Sequence, residues 1–421
     1  MKFPRMIRVR QRFEGPRVDD VAATVTDQLR RLRLDEKVRP GDRVAIPVGS
    51  RGIANLVTIV RALVDHFKKL DAEPFLVPAM GSHGGATAEG QRAVLEHYGV
   101  TEETVGAPIR STMETVVVAE TPQGVPVHFD KYAYEADHVF VWGRVKPHTC
   151  FTGEIESGLH KMMLIGLGKH AGAEVYHRAI LDFPFMEIIE AVGRVVLEKC
   201  HVVGGLAVVE NAYDETALIE AVPPDRFLER EKQLLGLARQ WMPRLPFPIV
   251  DLLIVDEIGK NISGTGMDTN VIGRKYNYHA ATERDSASCK LIFVRGLTPE
   301  SQGNAAGLGM ADITNDRTVA QVDRRKTAIN ALTAKRTPAA ALPISLPTDR
   351  ECIEAMLLCI GWIEPQQARV IQIANTLRLA EVLVSEAYQS DLRQRPDLEV
   401  LDGPNEMQFD EEGNLQPVLA R

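Results

Sequence analysis

The apolar positions of this chain fall into short unbroken runs, each closed by a loop and several followed by a longer stretch of helical period. Arg43-Val44-Ala45-Ile46-Pro47-Val48 reads as a buried strand ending in Gly49-Ser50-Arg51-Gly52, and an apolar-periodic helix follows over about 53–70. Residues 74–78 form the next expected strand, with Gly81-Ser82-His83-Gly84-Gly85 directly after it. Thr87 is placed to cap a helix that contains Gln91 to Tyr98 and stops at Gly99. Residues 138–142 give another short strand, and Lys146-Pro147-His148 lies just past its end. Strand, loop and helix in this alternation predict an α/β fold with mostly parallel sheets. Ligands gather at the carboxyl ends of the strands in such sheets, so Arg51, His83 and His148 are all expected on one edge.

Three prolines in Met242-Pro243-Arg244-Leu245-Pro246-Phe247-Pro248 separate a charged helix, about 225–239, from a new strand at 250–256. The expected organisation is two α/β domains, residues 1–245 and 249–421, with the active site in the cleft between them. The second domain continues through Gly-rich loops (259–273 and 303–309), a strand at 290–295 and helices over about 318–334 and 351–360. The acidic tail around 409–416 reads as a peripheral extension.

Composition narrows the class. A chain of 421 residues with 45% hydrophobic and 25% charged content is an ordinary globular protein, long enough for two cores. The net charge of −8 comes without any basic block able to track a phosphate backbone, which argues against nucleic acid as a partner. The start, MKFPRMIRVRQRFEG, lacks the apolar segment of a secretory signal, and no run approaches a membrane span. Five cysteines without a CxxC pattern suit reduced thiols. A cytoplasmic protein that does not bind membranes is the expectation; its oligomeric state is not legible.

Chemistry is carried by a few side chains, each of which also has a plain structural reading. Arg51 after a strand reads as a solvated loop residue, or as a guanidinium that grips a carboxylate in two places. His83 stands among glycines that let a ligand approach closely. His148 follows a proline that restrains the loop. Lys161 on its own reads as a surface lysine, although a lysine amine can also hold a cofactor covalently. His148, His160, His170 and His177 do not form HExxH or another zinc spacing, so His160 and His170 are read as structural or surface residues. The glycines at 166, 168 and 172 do not make the dinucleotide fingerprint.

Taken in order, Arg51, the GSHGG loop with His83, the Lys-Pro-His-Thr segment with His148, and Lys161 sixteen residues before His177 resemble the signature of the lactate racemase family. These are racemases and epimerases of 2-hydroxy acids that depend on a nickel pincer nucleotide. The resemblance covers most of the first 240 residues and, more loosely, the remainder. It implies a cofactor, the nickel complex of pyridinium-3,5-bisthiocarboxylic acid mononucleotide, bound covalently to Lys161, with His177 as the protein's nickel ligand. A planar site of soft and nitrogen donors suits Ni(II). It also implies that cofactor-biosynthesis proteins must supply this group.

By the same resemblance, His83 and His148 exchange the substrate hydroxyl proton while the C2 hydride passes reversibly to the cofactor, and Arg51 holds the carboxylate. Imidazoles that titrate near neutrality suit that exchange. Between His148 and Lys161 the chain is more polar and longer than in lactate-specific members, and SGTGMDTNVIG follows at 263–273. Lys260 and Arg274 are the candidates there for a further cationic substrate contact. The polar content points to a longer acid, a sugar acid such as gluconate, in place of lactate. The alternative is a catalytically idle carrier or sensor of the same fold, for which paired proton-transfer histidines have no use. A zinc hydrolase has no motif to support it.

Overall fold

The computed structural model describes residues 1–50, 52–150, 152–274, 287–333 and 335–419. The chain divides into two compact units, one formed by Gly15–Met242 and the other by Met1–Glu14 together with Pro243–Arg421.

The Gly15–Met242 unit is built on a five-stranded sheet in the order Glu73–Pro78, Arg43–Val48, His138–Arg144, Val202–Glu210, Thr216–Val222. The first four strands are parallel, and the fifth is antiparallel to its neighbour. The strands read as unbroken apolar runs because both faces are covered. Val44, Ile46, Val48 and Leu76 pack on one side with the helices Val21–Arg30 and Leu56–Lys69. Ala45, Phe75 and Val77 pack on the other with Leu159, Met163 and the helices Phe185–Lys199 and Phe227–Trp241. A hairpin, Thr115–Glu120 with Pro126–Asp130, adds a small separate sheet.

The second unit holds eight strands in the order Ile344–Leu346, Ile313–Asn315, Ser288–Val294, Ile249–Val255, Val370–Ile373, Glu381–Ser385, Met6–Gln11, Leu398–Asn405. Its first five are parallel and its last three pair antiparallel. The α/β fold with mostly parallel sheets is thus as expected.

Three expectations are corrected here. Residues 1–14 do not belong with the rest of 1–245. Met6–Gln11 alternates buried and charged positions and pairs on both sides with strands near the C-terminus, where Arg8 and Arg10 meet Glu381 and Arg12 meets Glu399. The tail is also not peripheral. Leu415 is buried in the core of its unit, its N–H donates to Asp349 Oδ2 at 3.0 Å, and its carbonyl accepts from Arg295. Three residues on, the Val418 N–H donates to Asp256 Oδ2 at 2.7 Å. The predicted helix over 318–334 is two helices, Asp316–Ala320 and Arg324–Thr333.

Candidate functional site

Three loops leave the carboxyl edge of the parallel strands in the Gly15–Met242 unit. The first follows Arg43–Val48 and contains Ser50; Arg51, the expected carboxylate anchor, lies outside the described residues. The second follows Glu73–Pro78. There the Ala79 N–H donates to Val48 O at 2.8 Å, so the two strands run on together into their loops. Gly84, at φ +64, is needed because a Cβ would fall on the backbone of Gly90 and Gln91 at the start of the Ala88–His97 helix. His83 precedes that turn, half-buried, and its Nδ1 shares a hydrogen bond with Ser50 Oγ. The first two loops therefore meet at His83.

The third loop follows His138–Arg144. Ser157 closes its base by accepting from Lys146 N at 2.7 Å and donating to Lys146 O at 2.6 Å. The buried carboxylate of Glu156 accepts from the backbone of His148 (2.7 Å) and Gly153 (3.0 Å), and Arg239 donates to it at 2.7 Å. The Cys150 N–H donates to His148 Nδ1 at 3.1 Å, which leaves the neutral ring with its proton on Nε2.

Lys161 ends the short helix Gly158–Lys161, which passes into a π turn over Met162–Gly166 closed by Leu167 N–H to Met162 O at 2.8 Å. Turns of this kind are frequent at functional sites. Glu231, fully buried on the Phe227–Trp241 helix, caps the start of the Lys161 helix. Its two oxygens accept from the N–H groups of Leu159 and His160 and meet His160 Nδ1. His160 is thereby a buried structural residue, as expected, and His170 is partly exposed, 3.8 Å from Glu174.

The π turn lies over the loops of the edge. Met162 Cε is 3.4 Å from where a Gly49 Cβ would stand and 3.7 Å from that of Gly143, and Ile165 Cγ2 is 3.3 Å from that of Gly81. Lys161 and His177 are both half-buried, His177 in the third turn of the Lys169–Asp182 helix. The residues fit a covalently held group on their chemistry: an amine on a short helix capped from beneath, and an imidazole on the helix after it. Among the described residues no three His, Cys, Asp or Glu side chains are grouped to hold a metal, and a metal whose other donors come from a bound cofactor needs a single imidazole.

In the second unit, Lys260 follows the carboxyl end of Ile249–Val255 and its amine donates to Gly264 O at 2.6 Å. Arg274 is on the opposite edge, held by the carbonyls of Met310 and Lys290 and by Asp312, so it is removed as a substrate contact. The polar groups of the 263–273 loop bond to one another: Thr265 Oγ1 to Met267 O at 2.7 Å, and Asn270 to Asp268 through both its backbone and side-chain nitrogens.

Sequence reasoning passed over Glu156, Glu231 and Arg239, whose hydrogen bonds hold the His148 loop and the Lys161 helix. One signal was available for Glu231. It lies on the apolar stripe Phe227, Leu234, Leu235, Ala238 of its helix, where a carboxylate needs a buried partner.

Residues 5–185 match the family model of the lactate racemase N-terminal domain. No curated protein matches the sequence significantly. Among solved structures, a crystal structure of a protein from Thermotoga maritima is similar at a TM-score of 0.54 and 11% identity, covering 87% of this chain and 99% of that one. The lactate racemase apoprotein from Thermoanaerobacterium thermosaccharolyticum is similar at a TM-score of 0.50 and 12% identity, covering 89% and 99%. At these identities the likeness is one of fold.

Proposed function

We propose that this chain, whose residues 5–185 match the family model of the lactate racemase N-terminal domain, inverts C2 of a 2-hydroxy acid with the help of a nickel pincer nucleotide. The observation that carries the reading is the junction at one sheet edge: Ser50 bonded to His83, with the Lys161 segment packed over Gly49, Gly81 and Gly143. Core packing does not need an imidazole among glycines at that place.

In this reading Lys161 holds the cofactor covalently and His177 gives the protein's ligand to nickel. When bound, the group supplies a reversible acceptor for the C2 hydride. The chain's own residues do the rest. His83 and His148 take and return the substrate hydroxyl proton, one for each enantiomer, through imidazoles suited to exchange near neutral pH. Arg51 holds the carboxylate in two places, fixing the plane in which C2 presents either face. Ser50 orients the His83 ring, and the Cys150 N–H does the same for His148.

The proposed substrate is a sugar acid such as gluconate. Its support is the sequence departure between His148 and Lys161; the hydroxyls and the one carboxylate, Asp268, of 263–273 lend it less, because they are bonded within their loop. The test is a chiral assay on protein produced together with cofactor-biosynthesis proteins, using single stereoisomers of lactate, malate and gluconate and Lys161→Ala as control. Inversion of one acid, absent in the variant, is expected. A protein that carries cofactor and nickel but inverts nothing would favour the carrier reading.

A further inference from the structure

Lys169 has no exposed surface, and it opens the Lys169–Asp182 helix at φ +56, in the left-handed region that side chains rarely adopt. A cation is costly to bury and this backbone conformation is strained, yet a methionine would fill the same space without a charge. What the amine does differently is donate. Its Nζ bonds Pro78 O at 2.7 Å and Gln91 Oε1 at 2.6 Å, and stands 3.5 Å from Asp130 Oδ2. Burial pulls the amine below its usual range, and the Asp130 carboxylate opposes that shift.

The chemistry of Gln91 then follows from its neighbour. An ammonium has no acceptor, so it takes the amide oxygen and leaves the amide NH2 facing the other way. That NH2 donates to Gly81 O at 2.8 Å and to His83 O at 3.3 Å. A line of buried groups thus runs from Asp130 through Lys169 and Gln91 to the carbonyls on either side of His83. It is anchored at one end of the helix that carries His177 eight residues later, and at the end of the strand Glu73–Pro78.

We infer that Lys169 and Gln91 are positioning residues that hold the His83 loop in fixed register with the His177 helix. Their bearing on catalysis rests on the reading of His83 and His177 above. The register itself does not, and it can be read in cofactor-free protein.

The test uses ring-labelled histidine and NMR, with the His83 signals identified by their loss in His83→Gln. In the wild-type protein His83 should show a single ring state, held by its bond to Ser50. Lys169→Met, and separately Gln91→Leu, should lose that signature and give averaged ring states, while His138, bonded to Asp42 at 3.0 Å elsewhere on the sheet, stays unchanged. The Gln91 variant keeps the Lys169–Asp130 pair, so it answers even if Lys169→Met does not fold. In cofactor-loaded protein both variants should keep the Lys161 adduct mass and the KM of whichever acid is inverted. Their kcat should fall by about a hundredfold, the scale expected of a displaced reacting group. A folded variant in which His83 keeps its single ring state would overturn the inference. If the wild-type protein carries no adduct, the functional reading fails while the NMR result still decides the positioning role.

Discussion

Both oxygens of Glu231 are committed to the helix that ends in Lys161, and no water can replace them, since the side chain is fully buried. Glu231→Gln keeps one acceptor oxygen and puts an NH2 where the other is required, so at least one buried backbone N–H, that of Leu159 or that of His160, loses its partner. The expected cost is about 2–4 kcal/mol, since a buried donor stripped of its acceptor keeps its desolvation penalty. Chemical denaturation of the variant checks it, and a change under about 0.5 kcal/mol would show that the cap does not hold the helix. Asp42 supplies a pH-dependent term. A backbone N–H from Arg39, with His138 adding to it, holds its carboxyl below the usual range. A depressed carboxylate contributes stability that is complete above its unfolded pKa, about 4, and is lost as pH falls through the folded value. Asp42→Asn should therefore flatten the stability profile below about pH 4; an unaltered acid limb in urea melts would contradict this.

At the scale of elements, two glycines give opposite predictions. Gly158 begins the Lys161 helix at φ +82, and a Cβ there would overlap Glu231 Oε1. Gly158→Ala should therefore destabilise by about 2 kcal/mol or more and lower the yield of Lys161 adduct. Gly236, exposed inside the Phe227–Trp241 helix with open space around it, should accept alanine with a gain of up to about 1 kcal/mol. Thermal melts of the pair decide both. The parallel strands of the first unit and the Thr87 cap were legible because they depend on local pattern: Arg43–Val48 is an unbroken apolar run, and Thr87 Oγ1 accepts from Gly90 N at 3.0 Å. The edge that gathers His83 and His148 followed from that strand order. The supporting carboxylates were not legible, because Glu156 and Glu231 resemble Glu154 and Glu229 until the fold brings Arg239 and His160 to them. Met6–Gln11 was missed for the same reason: its partners are more than 370 residues away.

For the molecule as a whole, the tail is a structural part of one unit. Removing residues 415–421 uncovers Asp349, Asp256 and Arg295, which the tail backbone now satisfies. The unit of Met1–Glu14 and Pro243–Arg421 should lose about 3 kcal/mol or more, while Gly15–Met242, with its own two cores, keeps its midpoint. Protease protection mapped by mass spectrometry separates the two, and equal loss in both units would contradict it. No helix among the described residues is long and apolar enough to cross a membrane. The central claim is that Lys161 holds the nickel cofactor, and peptide mass mapping of protein produced with the cofactor-biosynthesis proteins tests it most directly. The account predicts added mass on the Lys161 peptide, lost in Lys161→Ala, and nickel that falls away in His177→Ala while the added mass stays. Unmodified Lys161 in protein that nonetheless binds nickel and inverts a 2-hydroxy acid would contradict it.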